Sequence, residues 1–496
     1  MERADKRQMG LVTGRRMIIA GVGSGCGKTT AVCGILYGLQ KRGWKAAAWK
    51  SGPDYIDPMF HKKVCGTGGN LDLFFSGRDR VCALLSEQAQ QSDIAVIEGA
   101  MGYYDGIGMT EEASCFALAE ATGTPVVLTV NPRGMGNSVC ALLQGFLHFK
   151  KESRIKGILF NQITARQYER LRPAIEDMGL QAVGYFPVQR EFTLESRHLG
   201  LVTAAEVDGF DTMLEKLYET IAHTIDWEGL LQLSEKTWPV KFKDSPGFPG
   251  DLCADRPGTA MAEEAPETDR EAVTIGIARD EAFGFLYEDN LRYLEKRGCQ
   301  LVFFSPLRDR ELPAMDGMIL CGGYPELYLP ELSENKKMRL AVREKIMSGL
   351  PCIAECGGFL YLQKSMTDTV NRTYDMTGVF PGQVFRRQRL ERFGYINCTV
   401  EEGHLFGREQ MKFRAHEFHY YDCDSRGSAL MAEKASGEEK WMTGIVNQNL
   451  YAGFPHIYFY GNEQFAEGFL ERAARYRDKH RVPSVNKEDK SGIDMK

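Results

Sequence analysis

The sequence predicts an α/β chain of two unlike domains, each a mostly parallel sheet covered by helices. Three observations carry this. Short β-branched or apolar runs alternate with helix-length amphipathic stretches, the pattern of strands joined by helical crossovers. The 496 residues exceed what one hydrophobic core organises. A segment rich in Pro, Gly and charge, SEKTWPVKFKDSPGFPGDLCADRPGTAMAEEAPETDREA at 234–272, interrupts the alternation with little apolar surface to bury. The expected organisation is a first domain at 1–233, a linker at 234–272, a second domain at 273–480 and a disordered tail at 481–496.

Strands are expected in the first domain at 17–20, 46–50, 94–98, 126–130 and 157–161. The first runs into GVGSGCGKTT at 21–30, and a helix starts near Lys28. A loop of small residues entering a helix points backbone N–H groups inward, which makes an anion site. Gly21, Ser24, Gly25, Gly27, Lys28, Thr29 and Thr30 are its expected nucleotide-binding residues, with Lys28 on the β/γ phosphates and Thr29 on Mg²⁺. The spacing is one residue off the common loop, because Val22 takes the usual first-glycine place.

The second strand runs into SGPDYIDP at 51–58, where Asp54 and Asp57 flank a turn stiffened by Pro53 and Pro58. The third runs into EGAMGYYDG, which puts Glu98 at a strand end and Asp105 in the next loop. Ligands of parallel sheets gather at the carboxyl ends of strands, so these acids are expected to converge on the phosphate loop. Thr29, Asp54 and Glu98 are the expected Mg²⁺ ligands, because hard oxygens plus phosphate suit that ion. Turn formation is the competing role for any single Asp. Asn161 either reads the nucleotide base or caps its strand.

In the second domain, strands are expected at 273–278, 301–304, 318–320 and 351–355. The last leads into Cys356, Gly357 and Gly358, small residues that permit the sharp strand-to-helix turn of a nucleophile elbow. A sulfur held at a helix N-terminus is expected to have a lowered thiol pKa. His456 in NLYAGFPHIYFYG is the first candidate for its base, with His416 and His419 in RAHEFHYYD competing. Amides of CGGYPE at 321–326 are the expected oxyanion donors, with Gly322, Gly323 and Gly357 forming the hole.

Composition narrows the class. A net charge of −6 without a long basic block argues against general nucleic-acid or membrane binding. No apolar run approaches the ~20 residues of a membrane span, and Met1 to Arg16 is too polar for a signal peptide. Thirteen cysteines at irregular intervals, with no Cys-x-x-Cys pair, resemble neither a disulfide framework nor a zinc site. A cytoplasmic location is expected.

In order along the chain, SGCGKTT, KSGPDYIDPMFH, NLD at 70–72, VIEGAMGYYDG, SRHLGLV at 196–202, ARDEAFGF, FFSPL, GGYPEL, AECGGFLYL and HEFHY resemble the glutamine-dependent cobyrinate a,c-diamide synthases of corrinoid biosynthesis. The resemblance spans roughly 17–470 outside the linker. It implies a P-loop, dethiobiotin-synthetase-like parallel-sheet domain followed by a class I glutamine amidotransferase domain of flavodoxin-like α/β fold. The implied activity is that of a carbon–nitrogen ligase. It converts the a and c side-chain carboxylates of a cobyrinate-type macrocycle to amides, with ATP, Mg²⁺ and glutamine. Lys28, Thr29, Asp54, Asp57, Glu98 and Asp105 match the synthetase motifs, Asp54, Asp57 and Asp105 as catalytic residues. Cys356 matches the glutaminase nucleophile and His456 its partner. The chain departs from the family where Tyr-x-His-x-His becomes Phe454-Pro455-His456-Ile457-Tyr458, and no acid follows His456 by two residues. The group that orients His456 is unassigned.

Arg386, Arg387, Arg389 and Arg392 either clamp macrocycle carboxylates or form a solvated basic face, the second being favoured. Cobyrinate, hydrogenobyrinate and nickel sirohydrochlorin all fit the architecture as substrates, and cobyrinate is the expected one. A homodimer is allowed but not indicated. A partitioning-type ATPase would share the nucleotide half yet have no use for Cys356.

Overall fold

The computed structural model describes residues 9–188, 196–197, 200–201, 209–243, 272–437 and 439–480. Its first half is a seven-stranded parallel sheet in the order Asn70–Leu71, Ala46–Ser51, Ile94–Glu98, Arg15–Gly21, Val126–Val130, Ile155–Ile163 and Gln181–Pro187. Each of the five expected strands is present within two residues of its expected bounds. Alternate side chains of the central strand feed two cores, the reason its sequence is apolar throughout. Met17 and Ile19 pack with Val32, Leu36 and Leu217, whereas Ile18 and Ala20 join Val81 and Leu85 on the other face. The sheet places the end of Arg15–Gly21 beside Ile94–Glu98, whose other neighbour is Ala46–Ser51, so the phosphate loop and both acidic loops leave the same end of the parallel sheet.

The second half contains a six-stranded sheet in the order Gln300–Phe304, Thr274–Ala278, Gly317–Leu320, Cys352–Glu355, Leu450–Gly453 and Ile445–Val446, parallel except for its last pair. The four expected strands are there. Two further sheets, one antiparallel and one mixed, stand beside it that the sequence pattern did not announce. One has the order Lys440–Thr443, Leu430–Lys434, Arg392–Val400, Lys412–His419 and His456–Ile457, and the other joins Thr373–Asp375, Ser365–Thr367, Gln383–Arg386 and Tyr421–Cys423. Arg392–Val400 hides its character because its first half, Arg-Phe-Gly-Tyr, is nowhere fully buried and alternation starts only at Ile396.

The expected linker begins inside ordered structure. Val240–Lys243 pairs antiparallel with Met9–Val12, burying Val240 and Phe242 and exposing Lys241 and Lys243. This two-residue alternation was masked by the Pro and Gly around it. Residues 244–271, the tail at 481–496 and part of the 196–202 motif lie outside the described residues.

Polar contacts fasten the halves together around the acidic loops. Asp72 caps the helix Leu73–Ala89 through the Phe75 N–H (2.9 Å) and accepts the Tyr395 hydroxyl of the other half (2.6 Å). Burial pushes the Asp72 carboxyl up to about 6, with Tyr395 and the Phe75 amide pulling the other way. The Asn70 N–H donates to Asp289 (2.7 Å), and the Tyr458 hydroxyl donates to the Asn70 carbonyl (3.1 Å).

Candidate active site

The phosphate loop closes onto the N-terminus of helix Lys28–Lys41. Gly27 has φ +90°, and a Cβ there would stand 1.9 Å from Asn161 Nδ2, so glycine alone fits. Asn161 lies within its strand and donates from Nδ2 to the Cys26 carbonyl (2.9 Å). Its visible work is to hold the loop against the sheet. Lys28 Nζ donates to the carbonyls of Gly23 (3.0 Å) and Met101 (2.7 Å), which links this loop to the one after Glu98.

A buried charge cluster adjoins the loop. Thr29 Oγ1 donates to Glu98 Oε1 (2.7 Å) and lies 3.3 Å from Asp57 Oδ1. Lys50 Nζ bonds Asp57 Oδ2, Glu98 Oε1 (3.0 Å) and the Gly99 carbonyl (3.3 Å). His61 Nε2 meets Glu98 Oε2 at 2.6 Å. Burial works against the Lys50 ammonium, but Asp57, Glu98 and Asp54 outweigh it and hold its pKa well above the usual lysine value. Burial also works against the Glu98 carboxylate, and Lys50, His61 and Thr29 together hold it far below its usual value. Asp57 is pushed up by burial, then by Asp54 and Glu98.

The structure thus brings Asp57, rather than Asp54, beside Thr29 and Glu98. Asp54 spends Oδ1 on the N–H groups of Ile56 (2.8 Å) and Asp57 (3.1 Å), forming the turn that aims Asp57 inward. Asp105 accepts the Gly102 N–H (2.8 Å) and shapes its own loop in the same way. Lys50 and His61 were missed from sequence. His61 follows Asp57 by one helical turn in Ile56–Cys65, a spacing that puts both on one face.

Cys356 sits at φ +43°, ψ −103°, a strained conformation for a residue with a Cβ, directly before helix Gly357–Tyr361. Its N–H donates to the Gly453 carbonyl (2.8 Å). A Cβ on Gly358 would stand 2.1 Å from the Leu320 carbonyl oxygen, so glycine is required for the elbow to dock on the sheet. Gly322, Gly323 and Gly357 come together: a Cβ on Gly357 would lie 2.9 Å from the Gly323 nitrogen, and one on Gly322 would lie 2.4 Å from His456 Cε1.

The expected low thiol pKa is corrected by the structure. Cys356 is only 7% exposed, and burial, reinforced by Glu326 and Glu417, pushes its thiol well above the ordinary range. The single turn of helix behind it does not offset desolvation. The thiol therefore needs a base. His456 Nδ1 lies 3.4 Å from Glu355 Oε2, within ion-pair range though outside hydrogen-bond geometry, while Glu355 Oε1 accepts the Ile457 N–H (3.0 Å). This acid precedes the nucleophile instead of following the histidine, which is why spacing alone did not find it.

Of the two competing histidines, only His419 is held by hydrogen bonds, and His416 lines the cavity with Nδ1 unbonded. His419 bonds Glu417 (2.8 Å) and the Tyr421 carbonyl (2.7 Å) and stacks on Phe454. Burial, with His456 adding, pushes His416 down to about 3, so it stays neutral and is a weak base. A free histidine titrates near 6.5, so between that value and about 3 the unfolded chain binds more protons and stability falls as pH falls. His416→Gln is expected to flatten the decline of Tm between about pH 7 and 5. Parallel declines in the variant and the parent chain would contradict the buried, neutral state.

One cavity of about 1090 Å³ joins the halves, lined by Lys28, Thr29, Asp57, Glu98 and Asp105 on one side and Phe285, Tyr324, Phe393, Tyr395, Phe418 and His456 on the other. Tyr55, between Asp54 and Asp57, stacks on Phe285 (centroids 5.7 Å apart) and tilts over His456 (4.9 Å). The loop carrying Asp54 and Asp57 therefore touches His456. The four arginines at 386–392 do not line this cavity. Arg387 pairs with Asp422 (2.8 Å) and Arg392 with Glu439 (3.4 Å), as a surface basic face would.

Residues 17–201 match the CobQ/CobB/MinD/ParA nucleotide binding domain, and residues 274–464 match the CobB/CobQ-like glutamine amidotransferase domain. The cobyrinate a,c-diamide synthase of Caldanaerobacter subterraneus subsp. tengcongensis is 35% identical over 93% of this chain and 99% of its own. The chain belongs to this family. The cobyrinate a,c-diamide synthase of Salmonella typhimurium is 36% identical over 92% of this chain and 98% of its own, and that of Clostridium acetobutylicum 35% identical over 91% and 98%. As a member of the cobyrinate a,c-diamide synthase family, the chain joins a P-loop nucleotide-binding domain to a glutamine amidotransferase domain and is a glutamine-dependent carbon–nitrogen ligase.

Among the described residues, no helix is long and apolar enough to cross a membrane.

Proposed function

We propose that this chain amidates the a and c side-chain carboxylates of cobyrinate, using ATP to activate each carboxylate and glutamine to supply ammonia. The observation that carries this reading is the single cavity reaching from the phosphate loop to His456. A carboxylate is a poor electrophile, so transfer of the γ-phosphoryl group first makes an acyl phosphate, and ammonia then displaces phosphate. Lys28 balances charge on the transferring group, held in line by its two carbonyl contacts. Thr29, Asp57 and Glu98 present hard oxygens that fit Mg²⁺ together with phosphate and water. When bound, the ion supplies electrostatic stabilisation of the phosphoryl oxygens. Lys50 and His61 keep Asp57 and Glu98 oriented, and Asp54 sets the turn. Asn161, in this reading, holds the loop and leaves its amide oxygen for the base.

At the other end of the cavity, His456 takes the proton of the Cys356 thiol, the sulfur attacks the glutamine side-chain amide, and the Gly322, Gly323 and Gly357 amides receive the developing oxyanion. His456 then protonates the leaving ammonia, and water releases glutamate. Glu355 stabilises the imidazolium and its orientation. Glu355→Gln is expected to lower glutaminase kcat by about 10-fold or more, as loss of an orienting carboxylate does, with little change in the KM for glutamine. An unchanged kcat would remove Glu355 from this role. A division into two domains is supported by the family matches ending at 201 and resuming at 274, with the first domain extended to Lys243 by its strand pairing with Met9–Val12.

The substrate is tested by incubating the chain with cobyrinate, hydrogenobyrinate or nickel sirohydrochlorin, each with ATP, Mg²⁺ and glutamine, and following product mass. Two sequential amidations, fastest with cobyrinate, are expected. Turnover confined to nickel sirohydrochlorin would contradict the substrate reading.

A further inference from the structure

The cations on the nucleotide wall of the cavity are already committed. Lys28 is bonded to two carbonyls and Lys50 to Asp57 and Glu98. On the facing wall, the hairpin between strands Leu430–Lys434 and Lys440–Thr443 brings Lys434 and Ser436 to the cavity. Turn geometry fixes the tip, with Gly437 at φ +79° and its N–H donating to the Lys434 carbonyl (2.8 Å). The Ala435 N–H donates to the Tyr395 carbonyl (2.8 Å), and Ser436 Cβ would lie 3.7 Å from a Cβ on Gly108, so the tip spans to the loop after Asp105.

Two polar groups here are unspent. Among the described residues the Lys434 ammonium has no hydrogen bond or ion pair, whereas Lys440 on the same hairpin is paired with Glu433. Ser436 Oγ is buried and has no hydrogen-bond partner. A hydroxyl left without a partner at the cavity is free to donate to an acceptor on a ligand. Beside the tip, Phe393 lines the cavity with 56% of its surface exposed. A cation, a hydroxyl donor and an open aromatic face suit a ligand that is flat and apolar at its centre and carboxylated at its rim.

We propose that Lys434 and Ser436 form a carboxylate subsite that grips a side chain of the macrocycle that is not undergoing reaction, so that the reacting carboxylate faces the phosphate loop. The subsite rests on the reading of the substrate as a polycarboxylate macrocycle. Its test is steady-state kinetics with cobyrinate for the full chain and the variants Lys434→Glu, Lys434→Arg and Ser436→Ala. The KM for cobyrinate rises about 10-fold or more in Lys434→Glu, rises by several fold in Ser436→Ala and changes little in Lys434→Arg, with the KM for ATP within about 2-fold throughout. A KM for cobyrinate in Lys434→Glu within about 2-fold of the parent chain overturns the subsite while the substrate reading stands. No mass change with the parent chain and any of the three macrocycles overturns both.

Discussion

Glutamine-dependent amidation is expected to fall by about 10³-fold or more in Cys356→Ala, while amidation fed by an ammonium salt persists. The sulfur is needed only to break the glutamine amide. The carboxylate is activated at Lys28 and the Asp57–Glu98 cluster, which line the cavity across from His456. The substitution removes a buried sulfur at a strained turn, and Ala at φ +43° adds no bulk, so the elbow and its glycine contacts are retained. Product formation with glutamine and with ammonium chloride, measured side by side, checks this. Equal loss of both activities would refute the division into two sites. Cys352 is the internal control: it is fully buried in the strand that leads to Cys356, its thiol raised by burial alone, and Cys352→Ala is expected to keep both activities.

The second large effect runs the other way. Lys28→Ala is expected to lower amidation by about 10²- to 10³-fold with either nitrogen source, because no acyl phosphate forms for ammonia to attack. Glu98→Gln is expected to do the same through a different route. It removes charge from the oxygen shared by Thr29 and Lys50 and from the one held by His61. Glutamine hydrolysis is expected to remain measurable in both variants. Ammonia-fed synthesis at parental rate in Lys28→Ala would contradict the assignment of the phosphate loop.

Features written in contiguous residues are legible in the amino-acid sequence itself. The phosphate loop is a local arrangement of small residues between a strand and a helix, and the Cys356 elbow is another. The central parallel strands of both halves follow from continuous apolar runs buried on two faces. The residues that escaped notice owe their roles to register between strands distant in sequence. Lys50 faces Glu98 because Ala46–Ser51 and Ile94–Glu98 pair with those two residues in register. Glu355 is brought opposite Gly453 in the same way, which carries the chain three residues on to His456 beside it. The Cys356 thiol pKa was misjudged for a related reason: the turn is local, but the burial that controls it comes from the whole domain. Asp54 and Asp57 could not be separated by sequence, since only the turn geometry shows which points outward and which reaches Thr29.

Nitrogen transfer between the two halves is the central claim, and isotope tracing tests it most directly. Glutamine labelled with ¹⁵N in its side-chain amide is supplied with cobyrinate, ATP and Mg²⁺, in buffer containing unlabelled ammonium, and the product is analysed by mass spectrometry. The account predicts a diamide carrying ¹⁵N at both new amides. Glutamate release without labelled amide, or a product whose nitrogen comes from the buffer, would contradict it.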